Sequence, residues 1–233
     1  MSIAHDSGAE LIHFSEEFQF MLDEYFHIQC RYQAAIRQVQ TKLEILNLEF
    51  ETKHRRNPIH HMENRMKTLQ SITEKLQRKN MEVSINSAVE NLYDIAGVRV
   101  VCSYIQDVFQ IADLLTGQDD ITVIRVNDYI RHPKPNGYRS LHLVVEVPVF
   151  LSEGRMMVPV EVQIRTIAMD FWASLEHNLR YKSDGDVPQD IGDELLKTAQ
   201  DISEIDERMQ TIHDRMSTLN LKTPRQLSLF DDQ

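Results

Sequence analysis

Between His132 and His142 the chain reads HPKPNGYRSLH. Two prolines and an Asn-Gly pair break regular structure there, yet the same stretch carries Lys134, Tyr138, Arg139 and two histidines. Proline fixes φ and Asn-Gly closes a tight turn, so a stiff backbone presents cations beside an aromatic face. That combination suits a ligand with a ring and negative charge. Alternation along the strand that follows puts His142 with Ser140, opposite Leu141 and Leu143. The bland alternatives are a loop-anchoring tyrosine and a satisfied strand histidine.

A second cluster precedes it. From Lys53 to Lys79 there are eight Lys/Arg against two Glu, a local excess of cations in a chain of net charge −11. The spacing predicts a helix from about Ile59 to Lys79. At about 100° per residue, Lys67, Ser71, Lys75 and Arg78 then share a stripe roughly 80° wide. Met66, Leu69, Ile72 and Leu76 lie roughly opposite, as an apolar docking face. The stripe is either a solvated face or a phosphate-binding one, and the two readings balance.

The third cluster lies on two strand-like runs. In VPVEVQIRT, alternation places Val158, Val160, Val162 and Ile164 on one face and Glu161, Gln163 and Arg165 on the other. The polar row is either a water-facing surface or the floor of a nucleotide site with a metal-holding carboxylate. In YDIAGVRVV, Asp94 opens a strand that contains Gly97 and Arg99. If Asp94 faces Glu161, the pair could hold Mg2+ against phosphate oxygens; otherwise Asp94 is a turn residue.

These clusters need a frame. From about Ala9 to Glu51 there is no Gly or Pro, and apolar residues recur at helical spacing, so one long helix or two in succession is expected until RRNP at 55–58 ends it. Between Val83 and Thr166, β-branched runs read as strands around a helical interval at about 106–116. Helical periodicity returns from Ala168 to about Tyr181 and from Asp190 to Leu219. The expected fold is α+β or α/β, a central mixed sheet of about five strands flanked by helices with long helices at both ends. The expected organisation is an N-terminal helical oligomerisation region at 1–54, a catalytic domain at 55–182, a C-terminal helical region at 183–222 and a flexible tail at 223–233.

Composition sets limits on function. The chain has 233 residues, is 42% apolar and can fill a core. Its acidic balance disfavours a general grip on nucleic acid, so no stable nucleic-acid binding is expected. Cys30 and Cys102 lack ligand spacing, which fits a reducing cytoplasm. The N-terminal residues lack a leader pattern and no segment approaches the ~20 apolar residues of a membrane span, so a soluble cytoplasmic protein is expected.

DIAGVRVV, HPKPNGYRSLH, PVEVQIRT and FWASLEHNLRYK, in that order, closely resemble the synthetase domain of the RelA/SpoT homologues, which make the alarmones ppGpp and pppGpp of the stringent response. The resemblance covers about residues 55–182. The short length, and NPIHHMENRMKTLQSITEKLQRK in particular, resemble a small alarmone synthetase of the RelP type. The resemblance implies a GTP diphosphokinase that moves pyrophosphate from ATP to the ribose 3′-hydroxyl of GDP or GTP and releases AMP. It implies the family's synthetase fold, nucleotidyltransferase-like in plan.

By similarity, Arg65 and Arg99 sandwich adenine while Lys67, Ser71, Lys75 and Arg78 hold the ATP phosphates. Asp94 and Glu161 bind Mg2+, with Glu161 near the attacking hydroxyl as candidate general base. Tyr138 stacks on guanine, Lys134, Asn136 and His142 meet phosphate and ribose, and Gln163 and Arg165 line the same pocket. RVND at 125–128 departs from the family's Arg-x-Lys-Asp and Glu-x-Asp-Asp patterns, which leaves the choice of GDP or GTP open. Hydrolysis is not expected, because HD occurs only at 5–6 and 213–214. The rivals are transfer to an adenosine nucleotide or a tRNA 3′ end, and a non-catalytic nucleotide-binding regulator. The family's small members also imply a homotetramer. The tail peptide Gln226–Phe230, QLSLF, resembles a sliding-clamp docking peptide, with packing on another subunit as the alternative.

Overall fold

A computed structural model describes residues 16–182 and 188–222. The tail peptide 226–230 lies outside them. A mixed five-stranded sheet forms the centre, and its strands are β1 (Ile59–Met66), β2 (Ala96–Cys102), β3 (Thr122–Asp128), β4 (Leu141–Leu151) and β5 (Gly154–Thr166). Their spatial order is β1-β2-β5-β4-β3. β2 and β5 run parallel, and every other neighbouring pair is antiparallel.

Among the described residues, six helices flank the sheet: α1 (Glu16–His54), α2 (Leu69–Arg78), α3 (Ile85–Asn91), α4 (Ile105–Thr116), α5 (Ile167–Lys182) and α6 (Gln189–Lys222). The expected mixed sheet with long helices at both ends is what the chain forms. The apolar face of the sheet, with Val98, Val100, Val160, Val162 and Ile164, packs with Ile111 and Leu115 of α4 and with Tyr32, Ala35, Ile36, Val39 and Leu43 of α1 in one buried core. The middle of α1 is therefore part of the same core as the sheet. Among the described residues, no helix is long and apolar enough to cross a membrane.

One element differs from the sequence reading. Residues 59–79 do not form one helix: β1 runs antiparallel to β2, and α2 begins only at Leu69. Pairing of β1 with the β-branched run of β2 satisfies its backbone, and this outweighs a helical pattern already weakened by His60, His61 and Asn64. Thr68 then caps α2, in extended conformation and accepting a hydrogen bond from the Ser71 backbone N–H. The stripe is accordingly redistributed. Ser71, Lys75 and Arg78 lie on α2, while Lys67 sits in the turn before it, tied by its N–H to the Ile95 carbonyl at 2.8 Å. Ile72 and Leu76 are buried, but Leu69 is exposed. The short helix α3 also interrupts a stretch that reads as β-rich from sequence.

Candidate active site

The register of the sheet gathers the polar residues on one face. Arg65 of β1 opposes Gly97 of β2, and Glu63 opposes Arg99. Gly97 and Arg99 in turn oppose Glu161 and Gln163 of β5, and Gln163 opposes His142 of β4. Side chains alternate across a sheet, so Arg65, Arg99, Glu161, Gln163 and His142 project to the face away from the α1 core. Arg65 passes close over Gly97, where a Cβ would stand in ordinary contact at 3.6 Å from the Arg65 Cγ. Glu63, Arg65, Gly97, Arg99 and Gln163 line a small cleft of about 40 Å3.

Asp94 lies in the turn before β2, where its Oδ2 accepts from Lys67 Nζ at 3.0 Å and Lys75 Nζ at 2.5 Å. Burial alone would raise its pKa, but the two lysines outweigh burial and hold the carboxyl below the usual range. Lys67 and Lys75 thus converge on one carboxylate from the turn and from α2. The Ser71 hydroxyl accepts from Thr68 Oγ1 at 3.0 Å, and Arg78 is exposed.

Glu161 is held at 3.4 Å from His142 Nδ1, and its Oε2 accepts from Gln163 Nε2 at 2.8 Å. Burial opposes its ionisation, but His142 and Gln163 prevail and its pKa is lowered. The nearby Asp94 charge works against that lowering, so the two carboxylates feel each other. Asp94 Oδ1 is buried and has no hydrogen-bond partner. Such an orphaned acceptor, with a second carboxylate close enough to feel its charge, fits a divalent cation. Among the described residues no group of three or more His, Cys, Asp or Glu forms a metal site. Mg2+ characteristically uses one or two carboxylates and completes its shell with water and substrate phosphates, so two are sufficient.

The loop at 132–140 turns through a Gly137 N–H to Lys134 C=O hydrogen bond of 2.8 Å. Tyr138 Oη lies 2.9 Å from His142 Nε2, which extends the chain of contacts from the loop through His142 to Glu161. Burial is the main reason the Tyr138 phenol is raised in pKa. Lys134 Nζ sits 4.6 Å and 4.8 Å from the centroids of the Tyr129 and Tyr138 rings. Asn136 is occupied at both ends: its amide donates to Glu176 Oε1 at 3.0 Å and its Oδ1 accepts from the Tyr138 N–H at 3.2 Å.

Arg165 is buried, and its Nη2 lies 2.8 Å from Asp170 Oδ1. Arg99 pairs with Glu63 at 3.1 Å and approaches Asp170 at 4.0 Å. Sequence reasoning singled out the arginines but not these acids. Asp170 stands five residues after Arg165, just past the end of β5, which a helix start would bring back over the strand. Tyr129 and Glu176 were also missed. They follow RVND and sit within FWASLEHNLRYK, respectively, two segments already singled out on other grounds.

Residues 64–186 match the model of the region found in RelA/SpoT proteins. The chain belongs to the RelA/SpoT family. It is 42% identical over 194 residues to the GTP pyrophosphokinase YwaC of Bacillus subtilis, covering 83% of this chain and 92% of that protein. The GTP pyrophosphokinase YjbM of the same organism is 36% identical over 181 residues, covering 78% and 84%. Among solved structures, the fold matches small alarmone synthetase 1 of Bacillus subtilis bound to its product pppGpp. The TM-score is 0.77 at 33% identity, over 84% of this chain and 99% of that one.

Proposed function

We propose that this RelA/SpoT family member synthesises (p)ppGpp: it transfers the β,γ-pyrophosphoryl group of ATP to the 3′-hydroxyl of GDP or GTP and releases AMP. The 3′-oxygen attacks the β-phosphorus, the bond from that phosphorus to the α–β bridging oxygen breaks, and AMP leaves with that oxygen. The observation that carries the reading is the meeting of a cation cluster, two ionised carboxylates and a tyrosine-bearing loop on one face of the sheet. A non-catalytic nucleotide binder has no need of the carboxylate pair.

Arg65 and Arg99 are suited to hold adenine across the gap over Gly97. Arg99 would exchange its contact with Glu63 for the ring. Lys67 and Lys75 take the triphosphate, with Ser71 and Arg78 extending the grip along α2. Both lysines already neutralise Asp94, so incoming phosphate competes with that carboxylate for them. Asp94 and Glu161 would hold a divalent ion such as Mg2+, which when bound neutralises charge building on the transferred phosphates.

Glu161 is better suited as a ligand than as a base. Its lowered pKa makes it a weak proton acceptor. His142, held between Glu161 and Tyr138, orients that carboxylate toward the acceptor side. Tyr138, Lys134, Asn136, Gln163 and Arg165 form the acceptor side, with Tyr138 as the stacking face for guanine. The setting is cytoplasmic, and the family's small members suggest a homotetramer.

The test is transfer of label from γ-labelled ATP with Mg2+ to GDP, GTP, an adenosine nucleotide and tRNA in turn. Label should move to GDP or GTP. Transfer only to another acceptor, or none, would overturn the proposal.

A further inference from the structure

α6 lies beyond residue 186, where the family match ends, and its sequence alone reads as a helical appendage. In the structure it bears directly on the loop proposed to take the acceptor nucleotide. Gly137 has φ +88° and is packed so tightly on α6 that a Cβ there would lie 2.5 Å from the Ala199 Cβ and 3.2 Å from Leu196 Cδ1. Tyr138 packs against a small buried cluster of Trp172, Ala173 and Ala199, flanked by Leu195 and Ile202 of α6. This cluster is separate from the main core. Trp172 of α5 donates from Nε1 to the Leu195 carbonyl at 3.0 Å, and Asp206 of α6 holds Thr166 at the end of β5 at 2.5 Å.

We propose that α6 is a positioning element of the acceptor site, with Ala199 as the surface on which Gly137 seats and which thereby sets the place of Tyr138. The inference rests on the reading of the loop as the acceptor site. Two residue types are needed at once for the contact: Gly137 has no Cβ, and Ala199 has the smallest one. Close approach fixes the loop because neither partner has a rotamer to yield. Tyr138 is linked in turn through His142 to Glu161, so the packing reaches the reacting centre by two contacts.

Ala199→Leu would push the loop away from α6 by the added side-chain volume. Displacements of this size near a reaction centre cost up to about 100-fold. The KM for GDP should rise by about tenfold or more with the KM for ATP near that of the parent, the melting temperature should fall as expected for an overpacked buried site, and Ala199→Ser should keep the parent KM values. Amide exchange at residues 132–140 should quicken in Ala199→Leu. If that variant does not fold, Leu196→Ala, which empties the same contact, should raise the GDP KM selectively. An unchanged GDP KM in a folded variant, or equal rises for ATP and GDP, would overturn the proposal. If the parent protein transfers to no guanosine nucleotide, the functional reading fails, and loop exchange decides the positioning role alone: unchanged exchange in Ala199→Leu overturns it.

Discussion

The two sides of the site are held in place by different forces. On the donor side, β1, the turn at Lys67 and α2 carry cations whose partners are acids: Asp94 takes Lys67 and Lys75, and Glu63 takes Arg99. On the acceptor side, the loop at 132–140 is gripped by apolar packing on α5 and α6 and by neutral or singly charged hydrogen bonds from Asn136 and Tyr138. The donor side is thus organised by charges that ATP and metal can displace. The acceptor loop is pre-shaped mainly by apolar packing on α5 and α6, which a substrate leaves in place, although the Lys134 cation over Tyr138 can be exchanged for ligand. Substitutions should separate along that line.

The largest effect belongs to the residue between the two sides. Glu161→Gln removes the charge that, with Asp94, would hold the metal, while keeping the shape of the side chain. Turnover should fall by a factor on the order of 1,000, with ATP affinity by calorimetry changed only slightly. Near-parent turnover in this variant would exclude Glu161 from both metal binding and chemistry.

The next pair sets one side against the other. Lys75→Ala removes a charge-assisted contact, so the ATP KM should rise by about 10- to 100-fold with little change for GDP. Tyr138→Ala removes a stacking face worth about 1–3 kcal/mol per base, so the GDP KM should rise by a similar factor while ATP is unaffected. Steady-state titration of each substrate checks both. Equal shifts in both constants would mean that the sides are not separable. Tyr138→Phe, which loses only the hydroxyl contact to His142, should cost about 1 kcal/mol or less.

Much of this layout is legible in the sequence, though unevenly. The strands β2, β4 and β5 announce themselves because both their faces and their β-branched content agree, and Glu161, Gln163 and Arg165 fall on the polar side as alternation requires. β1 is not legible in the same way. IHHMENRM has no clean alternation, and its strand form depends on pairing with β2, a contact distant in sequence. Asp94, Lys67 and Lys75 could be nominated singly, but their convergence on one oxygen depends on that misread segment. Glu63 and Asp170 were invisible as partners for the arginines, because acids on a helix start or a strand edge are common. The Asn-Gly at 136–137 reads as a turn, whereas the pressure of Ala199 on Gly137 joins residues far apart in the chain.

The smallest effect concerns the attachment of α6. Asp206 is buried, and burial raises its pKa above the usual 3.8. An acid raised on folding binds more protons in the native state, so it stabilises the fold at low pH and that contribution is lost as pH rises through the folded value. Asp206→Asn should therefore melt a little higher than the parent at pH 7, with the gain shrinking as pH falls through the folded value, below which the parent carboxyl is protonated as well. Thermal denaturation at several pH values checks the sign. A lower melting temperature at pH 7 would show that the ionised carboxylate ties α6 to Thr166 more strongly than burial penalises it.

Phosphorus NMR of a single reaction containing ATP, GDP, Mg2+ and the protein follows the transferred group itself. AMP should appear in equal amount with a guanosine product bearing a new diphosphate on its 3′-oxygen. Accumulation of ADP or free pyrophosphate, with the 3′-position of GDP unmodified, would contradict that transfer.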